Sequence, residues 1–169
     1  MAEESNTNIP ETNDQESPLQ QFKIQRIYLK DLSFESPMGI TAFKQQWQPK
    51  LTQELNTKTN KLDDENYEVV LTITLTVRIN EQTVFLIEVQ QGGIFLIKGI
   101  EKQAIPQVLN THCPQILFPY IRETIDTVVT KGSFPALMMP PVNFDTLYSQ
   151  AMAQAQQNAA NEATESTMN

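Results

Sequence analysis

The 169-residue chain carries a formal net charge of −8, from 12 Lys and Arg against 20 Asp and Glu, with a single His and a single Cys. One Cys excludes an internal disulfide framework, and no apolar run is long enough to span a bilayer. The excess acid sits at the ends: residues 1–20 hold five acids and no base, residues 149–169 hold two and no base, and the middle balances 13 acids against 12 bases. A near-neutral folded part without a basic stripe argues against nucleic acid and against anionic membranes as partners.

Residues 1–20 are acidic and polar, with Pro10 and Pro18, and bury too little apolar surface to offset ordering. They are expected to be a disordered acidic tail. The folded domain is expected over residues 21–155, and a disordered polar tail over 156–169. An acidic, polar N-terminus is the opposite of a signal peptide, and one Cys suits a reducing compartment, so the expected location is the cytoplasm.

A first strand is predicted over 22–35. Phe22 and Ile24 share one face and Ile27 and Leu29 the other, which points to a bulge near Gln25-Arg26. A second is predicted over 44–60, with Trp47, Leu51 and Leu55 on one face and Pro49 marking an edge or a break. Residues 67–79 alternate without interruption. Tyr67, Val69, Leu71, Ile73, Leu75, Val77 and Ile79 point one way, and Glu68, Thr72, Thr74, Thr76 and Arg78 the other. The next strand repeats the pattern with Phe85, Ile87 and Val89. A three-residue loop, Asn80-Glu81-Gln82, pairs Val77 with Phe85 and keeps both hydrophobic sets on one face, whereas a one-residue slip would turn Glu88 inward. Leu86 and Glu88 then share the wet, Thr-rich face. Gly92-Gly93 predicts a kink or the close approach of another backbone.

The period changes after residue 101. A short helical piece precedes a longer helix that starts at Thr111-His112-Cys113-Pro114, should kink or be delayed at Pro119, and stops at Lys131-Gly132. Residues 133–148 are apolar but interrupted by three prolines, and a last helix is predicted from near Asn143. Four strands followed by helices give an α+β fold: a four-stranded antiparallel sheet with two main helices packed on one face, between disordered acidic tails.

No catalytic constellation emerges. His112 and Cys113 are adjacent and alone, too few for a metal site and poorly disposed as a catalytic pair. Gly92-Gly93 is no phosphate loop. No enzyme, metal or cofactor is therefore expected. Three surfaces remain: the outer sheet face with Asp31, Glu35, Leu86 and Glu88, the apolar face of the long helix, and the Phe/Met/Pro segment near Trp47 and Leu55.

Several runs carry a specific resemblance. They are Phe22-Lys-Ile-Gln-Arg-Ile-Tyr-Leu-Lys-Asp-Leu-Ser-Phe-Glu35, Trp47-Gln-Pro49, Glu88-Val-Gln-Gln-Gly-Gly-Ile-Phe95, Leu117-Phe-Pro-Tyr120 and Pro141-Val-Asn-Phe-Asp145. In this order, over residues 22–148, the chain resembles SecB, the protein-export chaperone family. The resemblance implies an ATP-independent holdase that keeps precursors of exported proteins unfolded and delivers them to the SecA ATPase. It implies a homotetramer built as a dimer of dimers. It assigns SecA docking to Asp31, Glu35, Leu86 and Glu88, the client groove to Trp47, Leu55, Phe85 and Phe144, and oligomer contacts to Gln90 and Gln91. The alternatives are a SecB-like chaperone dedicated to one partner, such as an antitoxin, and a small-ligand-binding protein with a pocket around Trp47 and Phe144.

Overall fold

The computed structural model describes residues 20–166. All but the last residue of the N-terminal tail assigned to 1–20 lies outside the described residues. Strand β1 (Gln21–Glu35) is followed by a 3-10 helix (Gly39–Lys44), β2 (Lys50–Lys61), β3 (Asn66–Ile79) and β4 (Gln82–Lys98), then by α1 (Ile105–Asn110), α2 (His112–Lys131) and α3 (Phe144–Ser166). The strands form one antiparallel sheet in the order β1-β4-β3-β2. The α+β class and the four-stranded sheet expected from the alternation are what the chain adopts.

That order makes β1 and β2 the two edges, so the β1–β2 connection must cross three strand spacings, roughly 14 Å. The second predicted strand therefore starts too early. Residues 39–44 coil into the 3-10 helix, Trp47 lies in the crossing segment, and β2 begins only after Pro49. Pro49, with no N–H for a ladder, sits just outside the strand.

The hairpin reaches the expected pairing by another device. Val77 pairs with Phe85 and Leu75 with Ile87, yet the turn is the two residues Asn80 and Glu81, both at positive φ (49° and 64°). Two positive-φ residues twist with the flanking strands as a tight hairpin requires. Ile79 faces Gln82 and Arg78 faces Thr83, and a bulge at Val84 of β4 restores the face that a two-residue turn alone would have flipped. The bulge expected in β1 near Gln25 is present, and a second lies at Lys30.

The core is one layer between sheet and helix. Val69, Leu71, Ile73, Leu75 and Val77 of β3, and Phe85, Ile87 and Val89 of β4, are fully buried beneath Cys113, Leu117, Ile121, Ile125 and Val129, an i, i+4 row along α2. Each such side chain contributes about 1.5–3 kcal/mol by leaving water. The helix runs on through Pro119, forfeiting only the bond to the Gln115 carbonyl on an exposed side. Its stop differs from the expected glycine cap. Gly132 has an ordinary φ of −72°, and Ser133 takes the left-handed position at 65°. Gly132 is needed for room, since a Cβ there would stand 2.7 Å from Phe34 Cζ.

Gly92 and Gly93 make no kink, and side chains rather than a backbone approach them. The Tyr28 ring lies across Gly92 on the outer face, while Phe95 and Leu117 close over Gly93 on the helix face. Helix α3 packs against α1 and α2, and its first turns face the edge strand β2 across a cleft. It continues to Ser166, so helical backbone extends into the 156–169 stretch that composition reads as a polar tail.

Candidate functional site

The register places one face of the sheet open to solvent. Across the four strands, Glu35, Leu86, Thr76 and Thr52 form one row; Ser33, Glu88, Thr74 and Glu54 the next; and Asp31, Gln90, Thr72 and Asn56 a third. Asp31, Glu35, Leu86 and Glu88 thus share one patch, as the alternation required. Asp31 and Glu35 are exposed on the edge strand, while Leu86 and Glu88 are half-buried nearer the centre. Glu88 accepts hydrogen bonds from Thr74 Oγ1 at 3.1 Å and from Gln90 Nε2 at 3.2 Å. Glu54 belongs to the same patch, and sequence reasoning missed it; the polar run at even positions of β2 was the available signal. These three rows contain four carboxylates and no Lys or Arg, so the patch is negative around one apolar side chain, Leu86.

A second cluster lies further along the same face. Glu68 accepts from Lys30 Nζ at 2.7 Å, from the Tyr28 hydroxyl, and from Asn60 Nδ2 at 2.7 Å. The Lys30 ammonium first, then Tyr28 and Asn60, hold the Glu68 carboxyl down from its ordinary 4.5 to about 2. Burial, with Glu68 beside it, pushes Tyr28 from 10.0 up to about 12. The depressed carboxylate stabilises the fold above pH 4.5, and that contribution is lost as pH falls through about 2. The raised phenol stabilises it below pH 10, and that contribution is lost as pH rises through about 12. Between pH 4.5 and 2.5 the wild-type protein should therefore lose on the order of 2–3 kcal/mol more stability than Glu68→Gln, as read from urea midpoints. Parallel losses would show that Glu68 gains nothing from its partners. Tyr28 and Glu68 were missed because they stand 40 residues apart and meet only through the strand order.

The helix side carries an apolar strip. Phe134 is its hub: its ring lies 4.8 Å from Phe85, 5.3 Å from Phe43 and 5.9 Å from Trp47, the last two stacked. Phe85 is fully buried, as the register implied, and reaches the strip only through Phe134. Trp47 is 37% exposed, Phe43 56% and Ile40 74%, so the 3-10 helix and the segment after it present a row of accessible hydrophobic side chains. Leu55 and Phe144 belong to a different place. They face a cleft of about 460 Å³ between β2 and the start of α3, with Leu147, Tyr148 and Ala151. The four expected client residues therefore fall into two sites, Trp47 with Phe85 and Leu55 with Phe144. Ile40 and Phe43 were missed, their i, i+3 spacing being the readable sign, whereas Phe134 lies in the Phe/Met/Pro segment expected to form a surface.

Gln90 and Gln91 look to opposite faces. Gln90 lies beside Glu88, and Gln91 is buried on the helix side opposite Leu29 and Leu71. The Cys113 thiol is fully buried, and burial raises it to about 12, so it is protonated and inert at neutral pH. His112 packs edge-on against Phe22. Among the described residues no group of three or more His, Cys, Asp or Glu is arranged to hold a metal, and no helix is long and apolar enough to cross a membrane.

An open sheet with an acidic face on one side and an apolar strip on the other defines an α+β protein built to present surfaces to other molecules. The comparisons place it more closely. The family model for the preprotein translocase subunit SecB matches residues 13–155. The protein-export protein SecB of Marinobacter nauticus is 54% identical over 145 residues, 86% of this chain and 88% of the relative. That of Stutzerimonas stutzeri is 55% identical over 136 residues, 80% of this chain and 83% of the relative. Among solved structures, a SecB-like chaperone of Mycobacterium tuberculosis in complex with a peptide from an antitoxin matches with a TM-score of 0.58. It is 17% identical, with 72% of this chain and 90% of that one covered, a likeness of fold. The chain belongs to the SecB family of protein-export chaperones.

Proposed function

We propose that this chain is an ATP-independent holdase that keeps precursors of exported proteins unfolded in the cytoplasm and hands them to SecA. The observation that carries this reading is the separation of the two surfaces. The apolar strip and cleft lie on the helix side, the acidic patch lies on the opposite face of the same sheet, and both can be occupied together.

Clients bind along Trp47, Phe43 and Ile40, with Phe134 supported from below by Phe85, and in the cleft of Leu55 and Phe144. Open apolar surface without a polar lock suits extended segments of many sequences. Asp31, Glu35, Leu86 and Glu88, with Glu54, form the SecA-docking face, where a negative patch around one leucine steers a basic partner and offers a small apolar anchor. The chain assembles as a homotetramer, a dimer of dimers, with Gln90 and Gln91 near the subunit contacts. The outer edge of β1, unpaired among the described residues and bearing exposed Ile24 and Leu29, supports pairing with a second copy. Linking several grooves raises the effective concentration of weak contacts on one long client. The role requires no bond chemistry, cofactor or metal.

The test is a refolding assay. A denatured secretory precursor, diluted into buffer with stoichiometric amounts of this protein and no nucleotide, should refold several-fold more slowly. Unchanged refolding would reject the holdase role.

A further inference from the structure

The Phe/Met/Pro segment between α2 and α3 packs Leu137, Met139 and Val142 against the core but is held by few hydrogen bonds. Pro135, Pro140 and Pro141 bar it from helix or ladder. After Phe134, whose N–H still bonds to the Val129 carbonyl, its hydrogen bonds to the body run through two side chains of α2. The half-buried carboxylate of Asp126 accepts from the backbone N–H of Leu137 at 3.0 Å and of Met138 at 3.2 Å, both on Oδ1. Arg122 Nη1 donates to the Met139 carbonyl at 3.4 Å. Met138 is held at a φ of 49°, a left-handed conformation that a residue with a side chain avoids unless bonded into it. The segment turns its own Leu137, half-buried, and Met139, 2% exposed, inward onto the core, and Phe134, 5% exposed, stands at its root. Because Phe134 stacks on Phe43 and Trp47, the apolar surface that meets the segment adjoins the accessible strip.

We propose that Asp126 is a positioning residue: it latches residues 135–142 onto α2, and release of this latch opens the strip to admit an extended apolar polypeptide. The inference rests on the client reading above and deepens it. In the latched state part of the apolar surface is withheld, which lowers the apparent affinity by the fraction of molecules that are open. Arg122 contributes a weaker, longer bond to the same strap. Asp126 is suited to the task because a carboxylate can hold two backbone donors at once and does so without fixing the rest of the segment.

Trp47, the only tryptophan, reports on the latch because it stacks on Phe134, at the root of the strap. The experiment measures acrylamide quenching of Trp47 and the affinity for a labelled, denatured secretory precursor, in wild type, Asp126→Asn and Asp126→Ala. Asparagine keeps the shape and loses the charge; alanine removes the acceptor. Quenching should rise in the order wild type, Asn, Ala, and the alanine variant should bind precursor ~3–10-fold tighter. If alanine prevents folding, the asparagine variant carries the same test with a smaller shift in the same direction. Unchanged quenching in both variants overturns the latch. Increased quenching with unchanged or weaker precursor binding overturns its role in admission. A wild-type protein that binds no precursor overturns the client reading itself. That failure is distinguishable, because Trp47 quenching still shows whether Asp126 holds the strap.

Discussion

Replacing Glu88 by lysine is expected to weaken binding to SecA at least ~30-fold while leaving capture of an unfolded precursor within about twofold of wild type. Glu88 sits mid-sheet, flanked by Ser33 and Thr74 in its own row and by Asp31, Glu35 and Glu54 close by. Charge reversal there changes the field of the whole patch and leaves a partner's cation facing a cation. The fold should tolerate it, because the lysine gains three acidic neighbours and its aliphatic stem can lie along the sheet. Leu86→Arg should act alike, by removing the apolar anchor and adding charge. Both side chains face away from the helix side, so precursor capture is the internal control. Titration calorimetry with SecA measures the effect, and an unchanged affinity would remove the docking assignment from this face.

The largest stability effect is expected at Gly93. A Cβ at that position would stand 2.7 Å from Phe95 Cε2 and 2.9 Å from Leu117 Cδ2. Both neighbours are fully buried and cannot swing into solvent. Gly93→Val should therefore cost about 3 kcal/mol or more and lower the melting temperature by roughly 10 °C. Gly92→Ala makes the instructive contrast. Its Cβ would meet Tyr28 Cζ at 2.4 Å, but that ring is only half-buried, on an edge strand, and can be displaced. The cost should be smaller and should appear chiefly as loss of the Tyr28–Glu68 contact. A Gly93→Val protein that melts within about 3 °C of wild type would mean that the core beneath α2 is loose enough to absorb a valine.

The outer face was legible because a strand has a period of two. Once Val77 and Phe85 share the core, Leu86 and Glu88 have nowhere else to point. The same logic hid the turn. A three-residue loop and a two-residue turn with a bulge give one pairing of Val77 with Phe85, so alternation could not choose between them. Partners set by strand order were beyond reach for the same reason. Glu54 joins Glu88 only because β2 lies beside β3, and Tyr28 finds Glu68 only because β1 lies beside β4. The early start assigned to the second strand reflects a connection that must cross the sheet before it can pair. Phe134 and Asp126 show what pattern cannot supply: a segment without regular structure is located by the side chains that hold it, and no period reports those.

The holdase role proposed for this chain requires that unfolded precursors be held by an assembled particle. Light scattering on a sizing column, with and without a denatured secretory precursor, tests it most directly. The expected result is a tetramer-sized peak that takes up the precursor and ignores the same protein once folded. A monomer that lets the unfolded chain pass would contradict it.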